Sequence, residues 1–232
     1  MDIHSSTVSR ADIAKRTHIL FDFDGTLADT LEGITQTACR VLREFGFSDE
    51  RIGDASRLVG PPFPVAFSMI YGVSSEEAQR ITDAYRKIYN TGVAFQSPLY
   101  PGVPQMLATL KHQHKILGTA SSKLEDLLAR MLVAKDIDQY FDAIVGKPSD
   151  GCGLKSYVIQ RALDRFGMTS EQAASRVVMV GDRSYDIQGA HEHGIPCVAV
   201  CFGTTTRQEL IDAGADVIVD SVEELMQVLL GV

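Results

Sequence analysis

From residue 98 to the end of the chain, helical segments alternate with short apolar segments. The apolar segments are KILGTAS, DAIV, RVVMVGD, PCVAVCF and ADVIV, and amphipathic segments such as GVPQMLATLKHQ and KSYVIQRALDRFG lie between them. The apolar residues run continuously instead of alternating with polar ones, which is typical of strands that are buried on both faces. This pattern predicts a doubly wound α/β fold, in which helices cover both faces of a parallel sheet.

Residues 31–96 interrupt this alternation. The segments LEGITQTACRVLREFG, PFPVAFSMIYG and SSEEAQRITDAYRKIYNTGVAF have helical periodicity, and no strand is predicted between them. Gly and Pro residues bend the chain at VGPPFP, and QSPLYPG returns it to the sheet. The sequence therefore predicts a flexible N-terminal tail at 1–16, a Rossmann-like core domain at 17–30 and 97–232, and an inserted small α-helical cap domain at 31–96.

Size and charge limit what the chain binds. Its 232 residues fit one core with a modest insertion. The net charge of -8 argues against a nucleic acid polymer as partner, because phosphate backbones attract basic surfaces. The N-terminal segment lacks the apolar stretch of a signal peptide, and no stretch approaches the roughly 20 apolar residues of a membrane helix. We expect a cytoplasmic protein without membrane contact that acts on a small molecule.

Acidic, hydroxyl and basic side chains follow the expected strands. They are Asp22 and Asp24 after HILF, Ser121 at the end of KILGTAS, Lys155 after DAIV, and Asp182 and Asp186 after RVVMVG. In an open parallel sheet, ligands bind outside the carboxyl ends of the strands. We therefore expect these side chains to converge at one edge of the sheet.

The two aspartates after HILF indicate the chemistry of that site. Asp22 and Asp24 point the same way, because residues two apart on an extended strand share a face. Carboxylates this close need a cation, and Asp182 would complete an all-oxygen site that suits Mg²⁺. A metal-held aspartate can attack a phosphoryl group to form an aspartyl-phosphate, while the second aspartate transfers protons. Backbone amides around Gly25 and the Ser121 hydroxyl would meet the phosphoryl oxygens.

These residues resemble the motifs of the haloacid dehalogenase-like superfamily, and within it the phosphoglycolate phosphatase-like phosphatases. The resemblance covers residues 17–232 and rests on DFDGT, TASSK, GLKSYVI and GDRSYD in that order. It implies that Asp22 is the nucleophile and a metal ligand. It also implies that Asp24 is the acid/base, whose main-chain carbonyl binds the metal. The helical insertion lies where this family has a small mobile cap.

The later motifs complete the implied site. By the same resemblance, Ser121 and Lys155 bind phosphate, Asp182 is a metal ligand and Asp186 supports it. Family members often have Lys-Pro in the third motif, which GKPSDG offers at Lys147. We favour Lys155, because it begins an amphipathic helix at the expected distance from its strand, and we expect Lys147 to be a solvent-facing loop lysine. Asp186 could instead occupy the first turn of a helix, where its charge suits the helix dipole.

The predicted function is a Mg²⁺-dependent phosphatase for a small phosphomonoester, similar to phosphoglycolate phosphatase. Alternatives are a 5'-nucleotidase of the same family and a sugar phosphomutase that resembles beta-phosphoglucomutase, although the mutases tend to have Glu-Asp where this chain has Gly181-Asp182. A non-catalytic phospho-aspartate signalling module is less favoured, since the chain is too long for one receiver domain. Within the cap, Arg57, Phe63 and Tyr71 are candidate substrate contacts; the arginine suits a carboxylate and the aromatic rings suit a nucleobase.

Overall fold

The computed structural model describes residues 8–149, 151–203 and 205–232. Within these residues, a parallel sheet contains the strands β1 (His18–Phe21), β2 (Ile116–Thr119), β3 (Val177–Gly181), β4 (Cys197–Val200) and β5 (Val217–Val219). Their order across the sheet is β2-β1-β3-β4-β5. This is the predicted doubly wound α/β fold.

Helices surround the sheet and form the insertion. In chain order they are α1 (Arg10–Ala14), α2 (Leu31–Glu44), α3 (Asp49–Ile52), α4 (Val65–Tyr71), α5 (Ser75–Ile88), α6 (Ala94–Gln96), α7 (Val103–His112), α8 (Glu125–Ala134), α9 (Lys155–Arg165), α10 (Ser170–Arg176), α11 (Ser184–His191), α12 (Arg207–Asp212) and α13 (Val222–Leu230). A π-helical turn, Tyr89–Val93, connects α5 to α6. None of the helices in the described part of the chain is long and apolar enough to cross a membrane.

The continuously apolar strands are explained by the two layers that they separate. Successive side chains of a strand point to opposite faces. In β1, Ile19 and Phe21 pack into the larger apolar cluster, whereas Leu20 packs into the second cluster with Met179 of β3. Since both faces are covered, the apolar residues of these strands show no alternation with polar ones.

The strand order sets the position of a ligand site. The chain leaves β1 for β2 on one side and returns to β3 on the other side of β1. Such a reversal opens a crevice outside the carboxyl ends of the strands that flank it. Here those ends are the residues after β1 and β3, where Asp22 and Asp182 lie.

The insertion is helical throughout and has its own aromatic core. Residues 31–96 contain α2 to α6 and no strand. The rings of Phe67 and Tyr85 lie 6.4 Å apart, and those of Phe47 and Tyr71 lie 5.7 Å apart. The Tyr71 hydroxyl donates to Ile52 O at 3.3 Å, so Tyr71 is a buried structural residue of the cap. Its predicted role as a substrate contact is therefore corrected.

Two local expectations differ from the structure. Residues 10–14 form α1 instead of a flexible tail, with Ile13 only 1% exposed and Arg10 paired with Glu224 of α13 at 2.6 Å. The first seven residues of the expected tail lie outside the described residues. The segment DAIV follows the edge of β2, where the Thr119 N–H donates to Ala143 O at 3.0 Å, but it forms an isolated bridge, between Ala143 and Gly118, instead of a strand.

Replacing Ile13 with alanine is expected to destabilise the fold by about 2–5 kcal/mol, because it leaves a cavity beneath α1. Urea denaturation monitored by circular dichroism measures this difference. The matched control is Lys15→Ala, whose exposed side chain pairs with Asp12 and should change stability by less than about 0.5 kcal/mol. Equal stability of the Ile13 variant and the control would show that α1 is not part of the folded core.

Candidate active site

Three buried carboxylates meet at the carboxyl ends of β1 and β3. Asp22 follows β1, and its backbone N–H donates to Val180 O of β3 at 2.9 Å, which continues the sheet pairing by one residue. Asp182 follows β3, and Asp186 lies in the first turn of α11. One oxygen from each of the three carboxylates lies within 4.8 Å of the others.

The DFDGT segment folds into a tight loop that brings the backbone against Asp182. Phe23 O accepts from the N–H groups of Leu27 and Ala28, each at 3.0 Å. Gly25 has φ +76, and a Cβ at this position would lie 2.2 Å from Asp182 Oδ2, so only glycine fits. The Gly25 N–H itself donates to Ala28 O at 2.9 Å, and the expected phosphate contact of the backbone amides around Gly25 stays a prediction.

Lys155 lies among the buried acids. It begins α9, and its Nζ is 3.1 Å from Asp22 Oδ2 and 2.7 Å from Asp186 Oδ1. The same ammonium donates to Ala120 O at 2.8 Å. Burial by itself lowers the pKa of Lys155, but the two carboxylates outweigh it, and the net pKa is raised. Burial raises the pKa of Asp186 to about 6, although Lys155 opposes this shift.

Lys147 occupies a different position. Its Nζ donates to Phe63 O of the cap at 3.1 Å, and its side chain is half-buried. Burial, followed by the charge of Arg86, lowers the pKa of Lys147. The expectation of a solvent-facing lysine is therefore wrong, since Lys147 joins the core to the cap. Of the two lysines, Lys155 is the one in contact with Asp22.

Asp24 is paired with a lysine that the sequence reading did not assign. Lys123 Nζ lies 3.1 Å from Asp24 Oδ2, and the side chain of Lys123 is 6% exposed. Asp24 Oδ1 is buried and has no hydrogen-bond partner among the described residues. The Asp24 carboxylate therefore lies apart from the Asp22, Asp182 and Asp186 group, and any metal contact of Asp24 would fall to its main-chain carbonyl.

Lys123 could have been noticed from the TASSK motif itself. Only its hydroxyl residue was assigned, yet Lys123 lies two positions after Ser121 in the same loop. Ser121 is 1% exposed, and its Oγ accepts from the Lys123 N–H at 3.4 Å. Ser121 and Lys123 thus reach the site together from the end of β2.

A pocket of about 90 Å³ lies between the core and the cap above these residues. Asp22, Asp24 and Ser121 form part of its base. The remaining wall is largely apolar and aromatic, with a few cationic and amide groups, and includes Leu58, Val59, Phe63, Tyr85, Arg86, Tyr89, Asn90, Lys123, Leu127 and Lys147. Phe63 therefore lies at the pocket, and its role as a substrate contact stays a prediction.

The other two candidate cap residues are not in the wall. Arg57 is exposed and its Nε donates to Asp54 O at 3.0 Å, while Tyr71 belongs to the cap core. The cap residues that do reach the pocket include Tyr85 and Tyr89, which are four residues apart and share a helix face. In the sequence, this spacing in ITDAYRKIYN predicts that the two tyrosines share a helix face. It does not predict that this face is the one that meets the core.

The site has the donor set of a divalent metal. Buried carboxylates in this arrangement repel each other, and an all-oxygen group suits Mg²⁺. Gly203 packs closely against this group, since a Cβ there would lie 2.5 Å from Gly25 O and 2.8 Å from Asp182 Oδ2. The charge and the oxygen donors fit a divalent cation held by Asp22 and Asp182.

Comparison with known proteins identifies the family. The model of the haloacid dehalogenase-like hydrolases matches residues 19–200, which include both strand ends that carry the acids. The chain belongs to this family. A crystal structure of a predicted phosphatase from Clostridium acetobutylicum superposes with a TM-score of 0.86 at 34% identity, covering 94% of this chain and 99% of that one. The predicted family and fold are therefore confirmed.

Named relatives within the family differ in their activities. A 5'-nucleotidase from Pseudomonas aeruginosa is 31% identical over 83% of this chain and 86% of its own length. The tyrosine-protein kinase PtkA of Mycobacterium tuberculosis is 35% identical over 91% of this chain and 72% of its own. A phosphoglycolate phosphatase from Aliivibrio fischeri is 27% identical over 91% of this chain and 95% of its own length. The expected enzyme class, a phosphoric monoester hydrolase, agrees with the family and with its phosphatase relatives.

Proposed function

We propose that this protein is a Mg²⁺-dependent phosphatase that hydrolyses a small phosphomonoester through an aspartyl-phosphate on Asp22. The observation that carries the proposal is the group of Asp22, Asp182 and Asp186 around the Lys155 ammonium, beside a pocket that Asp22 and Asp24 also line. Of the three grouped carboxylates, Asp22 is the one that a ligand in the pocket can reach, while Asp182 can share a cation with it.

In the first step, a carboxylate oxygen of Asp22 forms a bond to phosphorus as the bond from phosphorus to the ester oxygen breaks. The Asp24 carboxyl group gives its proton to the departing oxygen, which leaves as an alcohol. Ser121 and Lys155 hold the phosphoryl oxygens in line for this displacement. The product on the enzyme is a mixed anhydride of Asp22 and phosphate.

In the second step, water attacks the phosphorus atom of the aspartyl-phosphate. Asp24, now a carboxylate, takes a proton from this water, and the bond from phosphorus to the Asp22 oxygen breaks. Orthophosphate leaves and both carboxyl groups return to their starting forms. Covalent catalysis of this kind replaces one difficult displacement by two easier ones.

Asp22, Asp182 and the main-chain carbonyl of Asp24 would hold Mg²⁺, with Asp186 supporting the group through Lys155. A bound divalent ion there neutralises charge on the phosphoryl oxygens and reduces their repulsion from Asp22. Asp186 orients the Lys155 ammonium, because its Oδ1 is the nearer of the two carboxylate contacts.

The pocket wall makes a nucleotide substrate the second candidate. Phe63 and Tyr85 line the space above the phosphate position with aromatic rings that can contact a planar base. The 5'-nucleotidase from Pseudomonas aeruginosa provides a relative with that activity. A carboxylate-bearing substrate such as 2-phosphoglycolate would instead use Arg86 or Lys147, which line the same pocket.

The proposal is tested by phosphate release from a panel of 2-phosphoglycolate, nucleoside monophosphates, sugar phosphates and pyrophosphate with Mg²⁺. We expect at least one monoester to be hydrolysed with metal, loss of activity in EDTA, and recovery when Mg²⁺ is restored. Mg²⁺ should also raise the melting temperature of the wild type, because a ligand that binds only the folded state stabilises it, but should raise that of Asp182→Asn much less. Full activity in EDTA would contradict the metal assignment. Isomerisation of glucose 1-phosphate without phosphate release would instead support a mutase, and a stable phosphoprotein without turnover would support a signalling module.

A further inference from the structure

Lys123 connects the cap to Asp24. Its Nζ lies 3.1 Å from Asp24 Oδ2 on the core side and 5.0 Å from the centroid of the Tyr89 ring on the cap side. Tyr89 begins the π-helical turn at the end of α5 and is 2% exposed. Turns of this type are often found at functional sites. The lysine is thus enclosed between a residue proposed for proton transfer and a fixed ring of the cap.

Stability alone gives a poor reason for this arrangement. Removing two charges from water costs several kcal/mol per ion, and their attraction offsets this only when the geometry and the remaining hydrogen bonds are favourable. The surrounding pocket wall includes apolar side chains such as Leu127 and Phe63. An apolar residue at position 123 could pack against them without the cost of removing a charge from water. A lysine here is better explained by what it does to Asp24.

The two oxygens of Asp24 have different surroundings. Oδ2 contacts the Lys123 ammonium, while Oδ1 is buried and has no hydrogen-bond partner among residues 8–149, 151–203 and 205–232. A carboxylate that is held at one oxygen can no longer rotate freely, so the direction of the other oxygen is also set. Asp24 lines the pocket, and Oδ1, although buried, is the oxygen that Lys123 leaves available to a leaving-group oxygen or an attacking water.

We propose that Lys123 is a positioning residue that holds Asp24 through Oδ2 and thereby directs Oδ1 at the transferred proton, and that Tyr89 of the cap keeps Lys123 in place. This inference rests on the phosphatase function proposed above. It predicts that the loss of Lys123 weakens only those steps that need Asp24. In this proposal the cap has two roles: it forms a wall of the pocket, and through Tyr89 it helps to position the group that transfers the proton.

The leaving group distinguishes this role from substrate binding. An alkyl monoester such as 2-phosphoglycolate or AMP needs a proton on its departing oxygen, whereas p-nitrophenolate leaves readily without one. We expect Lys123→Met to lower kcat/KM for the alkyl monoester about tenfold to a hundredfold, within the range of general acid catalysis. The loss of kcat/KM for p-nitrophenyl phosphate should be at least about fivefold smaller, because bond cleavage there does not depend on the acid.

A double-mutant cycle with Asp24→Asn tests whether the effect passes through Asp24. If it does, adding Lys123→Met to Asp24→Asn should change kcat/KM for the alkyl monoester by less than about threefold. Losses that multiply in the double variant would overturn the proposal, since they would mean that Lys123 acts on the substrate independently. Equal losses for both substrates in the single variant would overturn it as well.

Matched variants separate this role from effects on folding. Lys115→Met removes another partly buried lysine, whose Nζ donates to Ala14 O and Arg16 O near the opposite end of β2, and should leave both activities unchanged. Lys123→Arg keeps a cation and should recover part of the alkyl-monoester activity. Tyr89→Leu removes the ring and should show the same leaving-group selectivity as Lys123→Met, in weaker form.

The outcomes also separate this inference from the proposed function. A wild-type protein that hydrolyses no monoester contradicts the function itself. A wild-type enzyme with normal turnover, together with a folded Lys123→Met variant of unchanged kcat/KM, contradicts only the positioning role. Circular dichroism establishes folding of each variant before the kinetics. If Lys123→Met does not fold, the comparison of Lys123→Arg with the wild type on the two substrates gives the same test.

Discussion

Asp22→Asn is expected to abolish phosphate release, with kcat/KM lower by at least about 10⁴-fold. Asparagine has nearly the same shape as aspartate, so the side chain keeps its place after β1, but its amide cannot form the aspartyl-phosphate. Lys155 remains paired with Asp186 in this variant, and the buried ammonium therefore keeps one carboxylate partner. The loss should appear in kcat with folding intact.

Two measurements make this expectation specific. Rapid quenching in cold acid after mixing with ³²P-labelled substrate should trap a hydroxylamine-sensitive phosphoprotein from the wild type and none from Asp22→Asn. Asp126→Asn is the matched control, because Asp126 has a 90% exposed side chain on α8 and should retain full turnover. Substantial activity in the Asp22 variant would exclude the covalent mechanism.

Lys155→Met is expected to have the second largest effect. The substitution keeps the length of the side chain but leaves Asp22 and Asp186 without their shared cation. Breaking a buried ion pair in this way costs about 3–5 kcal/mol, and the Lys155 side chain is only 4% exposed. Loss of an ammonium that meets the phosphoryl oxygens should also lower kcat/KM by about 10²–10⁴-fold.

Lys147→Met is the matched comparison for this variant. Lys147 lies between core and cap, and its Nζ donates to the Phe63 carbonyl. We expect a change that is mainly in KM and smaller than about tenfold, because Lys147 lines the pocket but does not contact Asp22. Steady-state kinetics and urea denaturation of the two variants give the comparison. Loss of turnover in the Lys147 variant alone would reverse the assignment of the two lysines.

The fold was predictable because its signals are local and repeated. The parallel strands are largely apolar, as in Val177–Gly181, and alternate with helices, and this pattern admits few architectures. Residues that follow strands, such as Asp22 and Asp182, could be assigned to one edge because all carboxyl ends of a parallel sheet lie together. The four family motifs occur in the expected order along the chain, and each of them lies at this edge of the sheet.

Short or partly paired segments were less predictable. Arg10–Ala14 is too short for helical periodicity to be recognised, and its stability depends on the contact with α13. The DAIV segment is as apolar as a strand and hydrogen-bonds to β2, but these contacts form an isolated bridge instead of a ladder. In both places the neighbouring element, and not the local sequence, sets the conformation.

The sequence by itself determined the class of fold and the family, and it indicated that the acidic residues resemble a phosphoryl-transfer site. These features depend on residues that are close in the chain or at strand ends. The tertiary structure decided which groups meet: Lys155 with Asp22, Lys123 with Asp24, and the Tyr85 and Tyr89 face of the cap with the pocket. These pairs join segments separated by tens of residues. Their contacts arise from the packing of helices and loops around the sheet, which no local pattern of apolar and polar residues specifies.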